Sequence, residues 1–401
     1  MFSPLCSCLE SARSLGGLCF DWETQKHAAV IEHRAMRNIL VLGGSGRIGR
    51  AVAALLLETD KDCCLTLVGR NAVRGEKLLR ALGDRARFVS ADVYNENELA
   101  APLKDADLVI HTAGPFQETE PTLLRTAITC GVPYLDIADD LSFAQKARDL
   151  SALAKERGVP ALVNGGIFPG MSNVMAGLLA ERGSVTHLAF SYFIAGSGGA
   201  GPGVMASTFM LGTTPVTEYV DGKAVPRVAF TGGMKQAFLP PIGKRSVYFL
   251  ELPEVTSCFE TYKIPNVVAR FGTSPGIWNH LTRWCCSLFR PWLSNRKRVS
   301  SFVGLSLPFV RLLDLFVGKA IGMEVEAKYS TGETLRASYA HPNTIASIAQ
   351  AVVAQANEML EKRIPPGVYW PEEAIQEKRR HLVVSSRGGL LHLPDAKAPN
   401  P

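Results

Sequence analysis

The stretch from residue 37 to residue 70 constrains this chain most, because it combines three local patterns in a fixed order. It reads RNILVLGGSGRIGRAVAALLLETDKDCCLTLVGR. An apolar run at 39–42 leads into a glycine-rich turn, and apolar residues then follow at the spacing of a helix. A strand, a glycine turn and a helix in this order are typical of a dinucleotide-binding unit, in which the N-terminus of the helix faces the pyrophosphate.

Each glycine of this turn has an expected role. We expect Gly44 to allow the tight turn, Gly46 to let the pyrophosphate approach the backbone, and Gly49 to let the helix pack closely on its strand. The predicted cofactor-binding loop is completed by the residues between and beside these glycines, which are Gly43, Ser45, Arg47 and Ile48.

The end of the next strand indicates which dinucleotide is bound. A second apolar run at 64–68 ends about twenty residues beyond the glycines, where such folds contact the adenosine ribose. Gly69 and Arg70 stand there, without an acid. A carboxylate would bind the ribose hydroxyls of NAD, whereas a guanidinium suits the 2′-phosphate of NADP. We therefore predict an NADP site; a structural glycine turn in an unrelated α/β protein is the alternative.

Composition narrows the class of protein. The chain has 401 residues, of which 47% are hydrophobic, so it can bury the cores of two or three domains. Its formal net charge of +6 is scattered, which argues against a nucleic-acid-binding module. The cysteines lack metal-binding spacing, and we predict no metal site.

Three more strand ends supply candidate site residues. A strand at 87–90 leads to Asp92, which is placed either to reach the adenine or to cap a helix. A strand at 108–111 is followed by Thr112, Ala113 and Gly114, where bare backbone would let the cofactor pack beside its nicotinamide ribose. The next strand, predicted at 134–137, contains Asp136, our favoured catalytic acid. The other candidates, each with an alternative role as a cap or a buried polar group, are His111, Tyr134, Asp139 and Asp140.

Five separated motifs carry a family resemblance. They are GGSGRIG at 43–49, HTAGPF at 111–116, GVPYLDIADD at 131–140, NGGIFPGMSN at 164–173 and PGVYWPEEA at 366–374. In this order they resemble the saccharopine dehydrogenase-like family, most closely its short plant, algal and cyanobacterial members, over about residues 37 to 375. The resemblance implies NADP-dependent oxidoreductase activity and a second α/β domain, which supplies the substrate wall and often a dimer surface.

The sequence departs from the family at one position. Amino-acid-reducing relatives have an Asp in a GFDPG-like junction, where this chain has Phe168 before Pro169. An apolar ring in place of a carboxylate favours a less polar small-molecule substrate. We expect Phe168 and Phe116 to form an apolar wall that faces the nicotinamide.

The predicted fold class is α/β: a Rossmann doubly wound parallel sheet with a second α/β domain built on a mixed sheet. We divide the chain into an N-terminal extension or transit peptide (1–36), an NADP-binding Rossmann domain (37–165, completed by 341–363), a substrate and dimerisation domain (166–340) and a solvated C-terminal tail (364–401). Glycines 196, 198, 199, 201 and 203 precede a helix in the second domain and predict an anion-binding loop, a mobile lid or a wide turn.

The segment 279–323 is rich in Trp, Phe, Leu and Cys, with basic residues interspersed. Prolines and charges interrupt it, so buried helices, a homodimer face or an amphipathic patch at a membrane surface are the possibilities. Two functions remain open: an NADP(H)-dependent oxidoreductase, or a non-catalytic, membrane-associated NADP-binding scaffold. The resemblance and the composition of residues 1–36 favour a plastid location, with cytoplasmic and mitochondrial locations open.

Overall fold

The computed structural model describes residues 36–117, 119–199, 201–385 and 389–394, and within them all side chains but those of Arg296 and Leu313. The predicted extension or transit peptide (1–36) lies outside the described residues, except for Met36. The predicted plastid location, which depends on this segment, stays a prediction.

The first sheet is built by alternating strands and helices, as the sequence predicts. In chain order these elements are β1 (Arg37–Leu42), α1 (Arg47–Thr59), β2 (Cys63–Gly69), α2 (Ala72–Leu82), β3 (Ala86–Ser90), α3 (Glu96–Lys104), β4 (Leu108–His111), α4 (Thr122–Thr129), β5 (Tyr134–Asp136), α5 (Leu141–Arg148), α6 (Ser151–Glu156) and β6 (Pro160–Leu162).

The order of these strands creates a crevice at a known place. The sheet is parallel and runs β3-β2-β1-β4-β5-β6, followed by a seventh strand described below. The chain winds outward in one direction from β1 and then in the other from β4. Ligands of such sheets bind where the strand order reverses, outside the carboxyl ends of the strands. The ends of β1 and β4 therefore lie at the expected cofactor position.

The second sheet is mixed. Helix α7 (Met171–Ala180) leads from the first sheet to the elements β7 (Val185–Ala195), α8 (Pro202–Thr213), β8 (Val216–Val220), β9 (Lys223–Arg227), β10 (Met234–Phe238), β11 (Gly243–Phe249), α9 (Pro253–Tyr262), β12 (Asn266–Ser274), α10 (Ile277–Leu288), α11 (Arg290–Leu293), α12 (Arg296–Val317), β13 (Ile321–Tyr329) and β14 (Thr334–His341). Strands β7 and β12 pair in parallel, and the pairs around them are antiparallel. The predicted fold class, a Rossmann sheet with a second mixed-sheet unit, is confirmed.

The chain then returns to the first sheet. Helix α13 (Thr344–Leu360) begins at Asn343, whose side chain accepts a hydrogen bond from the backbone N–H of Ala346, and its apolar face packs in one core with β1, β2 and α1. The remaining elements are β15 (Gly367–Tyr369), α14 (Pro371–Ala374), α15 (Glu377–Val384) and β16 (Leu390–His392).

The expectation of a solvated tail after residue 363 is wrong for these elements. Strand β15 pairs with β6 as the seventh strand of the first sheet, and β16 pairs with β14 in the second. Trp370 is only 1% exposed, with the Arg148 guanidinium 3.8 Å from the centroid of its ring. Strands of three residues are too short to show an alternating pattern, so loss of periodicity did not mark the end of the fold.

Across the described ranges of the chain, no helix combines the length and the apolar composition that crossing a membrane requires.

Candidate cofactor site and reaction crevice

The turn after β1 depends on glycine because of its backbone conformation and its neighbours. Gly43 has φ +77°, and a Cβ atom added to it would stand 3.0 Å from the backbone of Ala113. Gly44 does not have a positive φ; a Cβ atom there would stand 2.8 Å from Cβ of Leu67. The left-handed conformation in this turn is therefore found at Gly43, one residue before the glycine that we expected to allow the tight turn.

The last two glycines of the turn fit their predicted roles. A Cβ atom on Gly49 would overlap the Gly43 carbonyl and stand 2.8 Å from Oγ1 of Thr112, which itself donates to the Leu42 carbonyl oxygen (2.8 Å). Helix α1 can therefore approach β1 and β4 only with glycine here. Around Gly46, the Gly43 carbonyl oxygen at 2.9 Å is the only described neighbour of an added Cβ atom. That open side is where a pyrophosphate would lie against the backbone.

Positive charge surrounds the start of α1. The Arg47 guanidinium donates to the Gly199 carbonyl oxygen, and burial, with the nearby charges of Arg311 and Arg50, lowers the pKa of Arg47. Free N–H groups at a helix N-terminus attract anions, and arginine adds charge. The turn can thus hold a diphosphate.

The end of β2 presents basic side chains without a carboxylate. Arg70 is exposed directly after β2, and Asn71 caps α2 by accepting from the Arg74 N–H (2.9 Å). The first turn of α2 contains no acid. Arg74 is a second exposed basic group, which we did not predict. Its place in the first turn of the helix after β2 could have identified it as a candidate for contact with the 2′-phosphate.

Asp92 and Tyr94 lie beside the adenine end of the predicted site. Asp92 is half-buried and accepts a hydrogen bond from the Tyr94 N–H (3.2 Å), as a residue that stabilises a turn would. The Tyr94 hydroxyl reaches the Ala113 carbonyl oxygen (3.3 Å), which connects the loops after β3 and β4. The role of Asp92 toward adenine stays a prediction.

The glycine-rich loop after β7 forms a roof over the turn. This loop accepts the hydrogen bond from Arg47 described above. It is also held by Asp314 on α12: the Ser197 N–H donates to Oδ1 of Asp314 (2.7 Å), and the Ser197 hydroxyl donates to the other carboxylate oxygen. At the start of α8, a Cβ atom on Gly203 would stand 3.5 Å from the Gly114 carbonyl oxygen. The second unit thus comes within contact distance of the loop after β4 at this point.

Asp136 lies beneath the crevice in a fully buried polar chain. One of its carboxylate oxygens accepts hydrogen bonds from the N–H groups of Ala138 (3.0 Å) and Asn164 (2.9 Å). The Tyr134 hydroxyl, which is 2.8 Å from Nδ1 of His111, also interacts with Asp136. Burial raises the pKa of Asp136 to about 6 and lowers the pKa of His111 to about 4, so the imidazole is neutral near pH 7. These contacts favour a positioning role for Asp136, and its catalytic role stays a prediction.

Asp139 instead connects the two units of the fold. It accepts a hydrogen bond from the Ser207 hydroxyl of α8 and one from Nε2 of Gln117 (3.1 Å), and Gln117 also lies 2.8 Å from the Ser207 oxygen. Burial raises the pKa of Asp139. Asp140 caps α5 by accepting from the Phe143 N–H (2.8 Å), which is the alternative role that the sequence left open. Gln117 and Ser207 could not be predicted from the sequence, because no local pattern marks either residue.

The two phenylalanines expected to share a wall pack in different clusters. Phe116 contacts His111 (ring centroids 4.9 Å apart) and Phe143 (5.2 Å). Phe168 stacks on Tyr192 with ring centroids 4.4 Å apart. The two rings thus belong to different clusters, and the apolar wall that we expected them to form toward the nicotinamide stays a prediction.

The open backbone at Gly46, the arginines around it and the acid-free start of α2 fit a phosphorylated dinucleotide. The fold and this site thus define an α/β protein with a Rossmann sheet and a second mixed sheet, and the β1–β4 crevice is its candidate site for a nicotinamide dinucleotide.

Comparison with known proteins finds a family model that matches the first sheet. Residues 39–162 match the model of the saccharopine dehydrogenase NADP binding domain. Residues 39–162 thus carry the sequence pattern of this NADP-binding domain, as the resemblance predicted. A trans-acting enoyl reductase of Mycobacterium leprae is 26% identical over 116 residues, which are 28% of this chain and 28% of that protein. The chain therefore spans little more than a quarter of the length of this relative.

Two solved structures share the whole fold. Saccharopine dehydrogenase of Saccharomyces cerevisiae is 15% identical, with a TM-score of 0.62 over 89% of this chain and 100% of that one. Homospermidine synthase of Legionella pneumophila, solved with NAD, is 12% identical, with a TM-score of 0.61 over 91% of this chain and 94% of that one. At these identities the likeness shows the fold alone.

Proposed function

We propose that this protein is an NADPH-dependent reductase of an apolar small molecule with a carbonyl group or a conjugated double bond. One observation carries the proposal: the turn at Gly43 and Gly49 packs so closely on Ala113 and its neighbours that only glycine fits. Arginines surround this turn, and the first turn of α2 contains no acid. The enoyl reductase among the relatives supports reduction as the direction of the reaction.

The cofactor supplies the hydride, and the protein has to position the substrate and supply a proton. We assign the proton to Asp139. It lies at the carboxyl end of the first sheet, burial raises its pKa, and Ser207 holds it against the unit that closes the crevice. Gln117 fixes the pair from the loop after β4.

The expected substrate is apolar. Phe168 occupies the junction where amino-acid-reducing relatives have a carboxylate, and its ring packs among Tyr192 and Phe271. A zwitterion bound there would lose water without gaining a paired charge. We expect saccharopine to be rejected.

Activity measurements test this function. Purified protein with NADPH should oxidise the cofactor in the presence of at least one member of a panel of apolar enones, enoyl esters and ketones. Asp139→Asn should lower turnover by about a hundredfold or more while NADPH binding is retained, since positioned acids contribute about that much. Asp140→Asn is the matched control, because asparagine caps a helix as well as aspartate does and turnover should persist.

Three outcomes would count against parts of the proposal. Robust oxidation of saccharopine would contradict the apolar site. Full activity of Asp139→Asn with loss of activity in Asp136→Asn would return the catalytic role to Asp136. Normal NADPH binding without turnover on the panel, together with unchanged metabolites in a knockout, would favour the non-catalytic scaffold.

A further inference from the structure

Helix α10 exposes a row of large apolar side chains. Ile277, Leu281, Trp284 and Leu288 are between 42% and 63% exposed. Their spacing of four, three and four residues places them on one side of the helix. The opposite side is buried, with Asn279 and Cys286 almost inaccessible.

Helix α12 repeats this arrangement with the same spacing. Leu305, Phe309, Leu312 and Phe316 are between 58% and 81% exposed. Leu315 beside them is 80% exposed. Isolated apolar residues on a protein surface need no explanation, but two rows of large side chains mark a surface that binds something.

Both helices turn their other sides to α8. Ala206 and Met210 of α8 share one apolar cluster with Cys286 of α10, Leu293 of α11 and two valines of α12, Val299 and Val303. The exposed rows therefore lie away from α8. Phe289 and Trp292, which are 49% and 38% exposed, lie between the two helices in the chain. We call the two rows and these two aromatic residues the apolar face.

The charges around the apolar face have one sign. Among the described side chains of this segment, the exposed lysines and arginines are Arg283, Arg290, Lys297, Arg298 and Arg311. Asp314 is the only acid between Ile277 and Val317. It is 9% exposed and is engaged by the N–H and hydroxyl of Ser197, so it does not offset the positive charge at the surface.

We propose that α10, α11 and α12 dock the protein on the surface of an anionic phospholipid layer. Apolar rows flanked by arginine and lysine, with tryptophan among them, are the composition of helices that lie in the interface of a bilayer. Anionic headgroups attract the basic residues while the apolar side chains enter the acyl boundary. A second copy of the chain is a poorer occupant, because two identical faces would bring like charges together.

The docking helices also contact the cofactor site. Asp314 of α12 holds Ser197, and the same loop accepts a hydrogen bond from Arg47 at the start of α1. The crevice thus lies one helix away from the proposed lipid surface.

Vesicle flotation of the full-length protein tests this proposal. Vesicles of phosphatidylcholine mixed with phosphatidylserine should carry the protein upward, and vesicles of phosphatidylcholine alone should carry much less. Phe309→Glu combined with Phe316→Glu should lower the bound fraction by about tenfold or more, because it places charge in the acyl boundary. Both side chains are exposed, so NADPH binding and the unfolding temperature should stay unchanged.

Val228→Glu combined with Leu382→Glu is the matched control. These residues are 64% and 58% exposed but lie outside the three helices, so the control should float as the unmodified protein does. Raising the salt concentration should weaken binding to the anionic vesicles.

Equal flotation of the unmodified protein and the Phe309/Phe316 variant would overturn the proposal. So would failure to bind anionic vesicles. Sedimentation that shows a dimer in the unmodified protein and a monomer in the variant would assign the apolar face to a second copy instead.

Discussion

At the scale of single residues, Asp136 shows how burial couples a carboxyl group to stability. Its pKa is raised to about 6 from an ordinary value of 3.8, because burial disfavours the charged form more than its hydrogen bonds favour it. Between these two pH values the folded protein keeps a proton that the unfolded chain has lost. The stability contributed by Asp136 is therefore present below about pH 4 and is lost as the pH rises through about 6.

Asp136→Asn tests this coupling. The Asn oxygen can still accept from the N–H groups of Ala138 and Asn164, so the variant should fold. From about pH 4 to pH 7, the free energy of unfolding of the unmodified protein should fall by roughly 3 kcal/mol relative to the variant. Urea unfolding of both proteins at several pH values measures this difference. Parallel pH profiles of the two proteins would show that Asp136 does not titrate as described.

The sequence predicted those site residues that act through local backbone geometry. The turn from Gly43 to Gly49 could be located because glycine spacing, a preceding apolar run and a following helix all lie within a few residues of one another. Contacts between distant residues leave no such pattern: Ser207 and Asp139 are 68 residues apart in the chain, and Gln117 and Ser207 are 90 apart. Their pairing follows from the packing of α8 on the first sheet.

At the scale of elements, the loop between β7 and α8 depends on α12. The sequence left an anion-binding loop, a lid or a wide turn open. The structure shows a loop with positive φ at Gly196, Gly198 and Gly199, held by Asp314 at Ser197 and contacted by Arg47. A loop placed in this way can exclude water from the crevice and contribute to phosphate binding.

Two substitutions at Asp314 isolate this anchor. Asp314→Asn and Asp314→Ala both remove the negative charge near Arg47, but only the alanine variant removes the acceptor of the Ser197 N–H. The alanine variant should therefore bind NADPH about tenfold more weakly than the asparagine variant, since one such hydrogen bond contributes roughly 1.5 kcal/mol. Calorimetric titration compares them. If the two variants bind equally, the anchor does not hold the roof for the cofactor.

Elements with a long periodic pattern could be predicted, and short ones could not. Strands β1 and β4 lie where the sequence indicates. The elements after residue 363 escaped notice because β15 and β16 are three residues long and gain their stability from the sheets they complete. For the aromatic segment 279–323, buried helices were one of three possibilities, and its sequence did not show which sides of α10 and α12 remain exposed.

At the scale of the whole molecule, two sheets are brought together over one crevice. The first sheet supplies the turn after β1 and the basic residues after β2, and the second unit supplies α8 and the roof loop. Chain segments that cross between the sheets, α7 and α13, pack into the cores. The family resemblance was enough to predict a Rossmann sheet followed by a mixed sheet. The contacts that close the crevice could be identified only in the structure.

Competitive titration of NADPH and NADH tests the central claim most directly. The unmodified protein should bind NADPH at least about tenfold more tightly, and Arg70→Ala should remove most of that difference, because a charge-assisted contact to phosphate contributes roughly 1.5–3 kcal/mol. Arg80→Ala is the matched control, because Arg80 lies in the last turn of α2. This variant should keep the preference for NADPH over NADH. Equal affinities of the unmodified protein for the two cofactors would contradict the account.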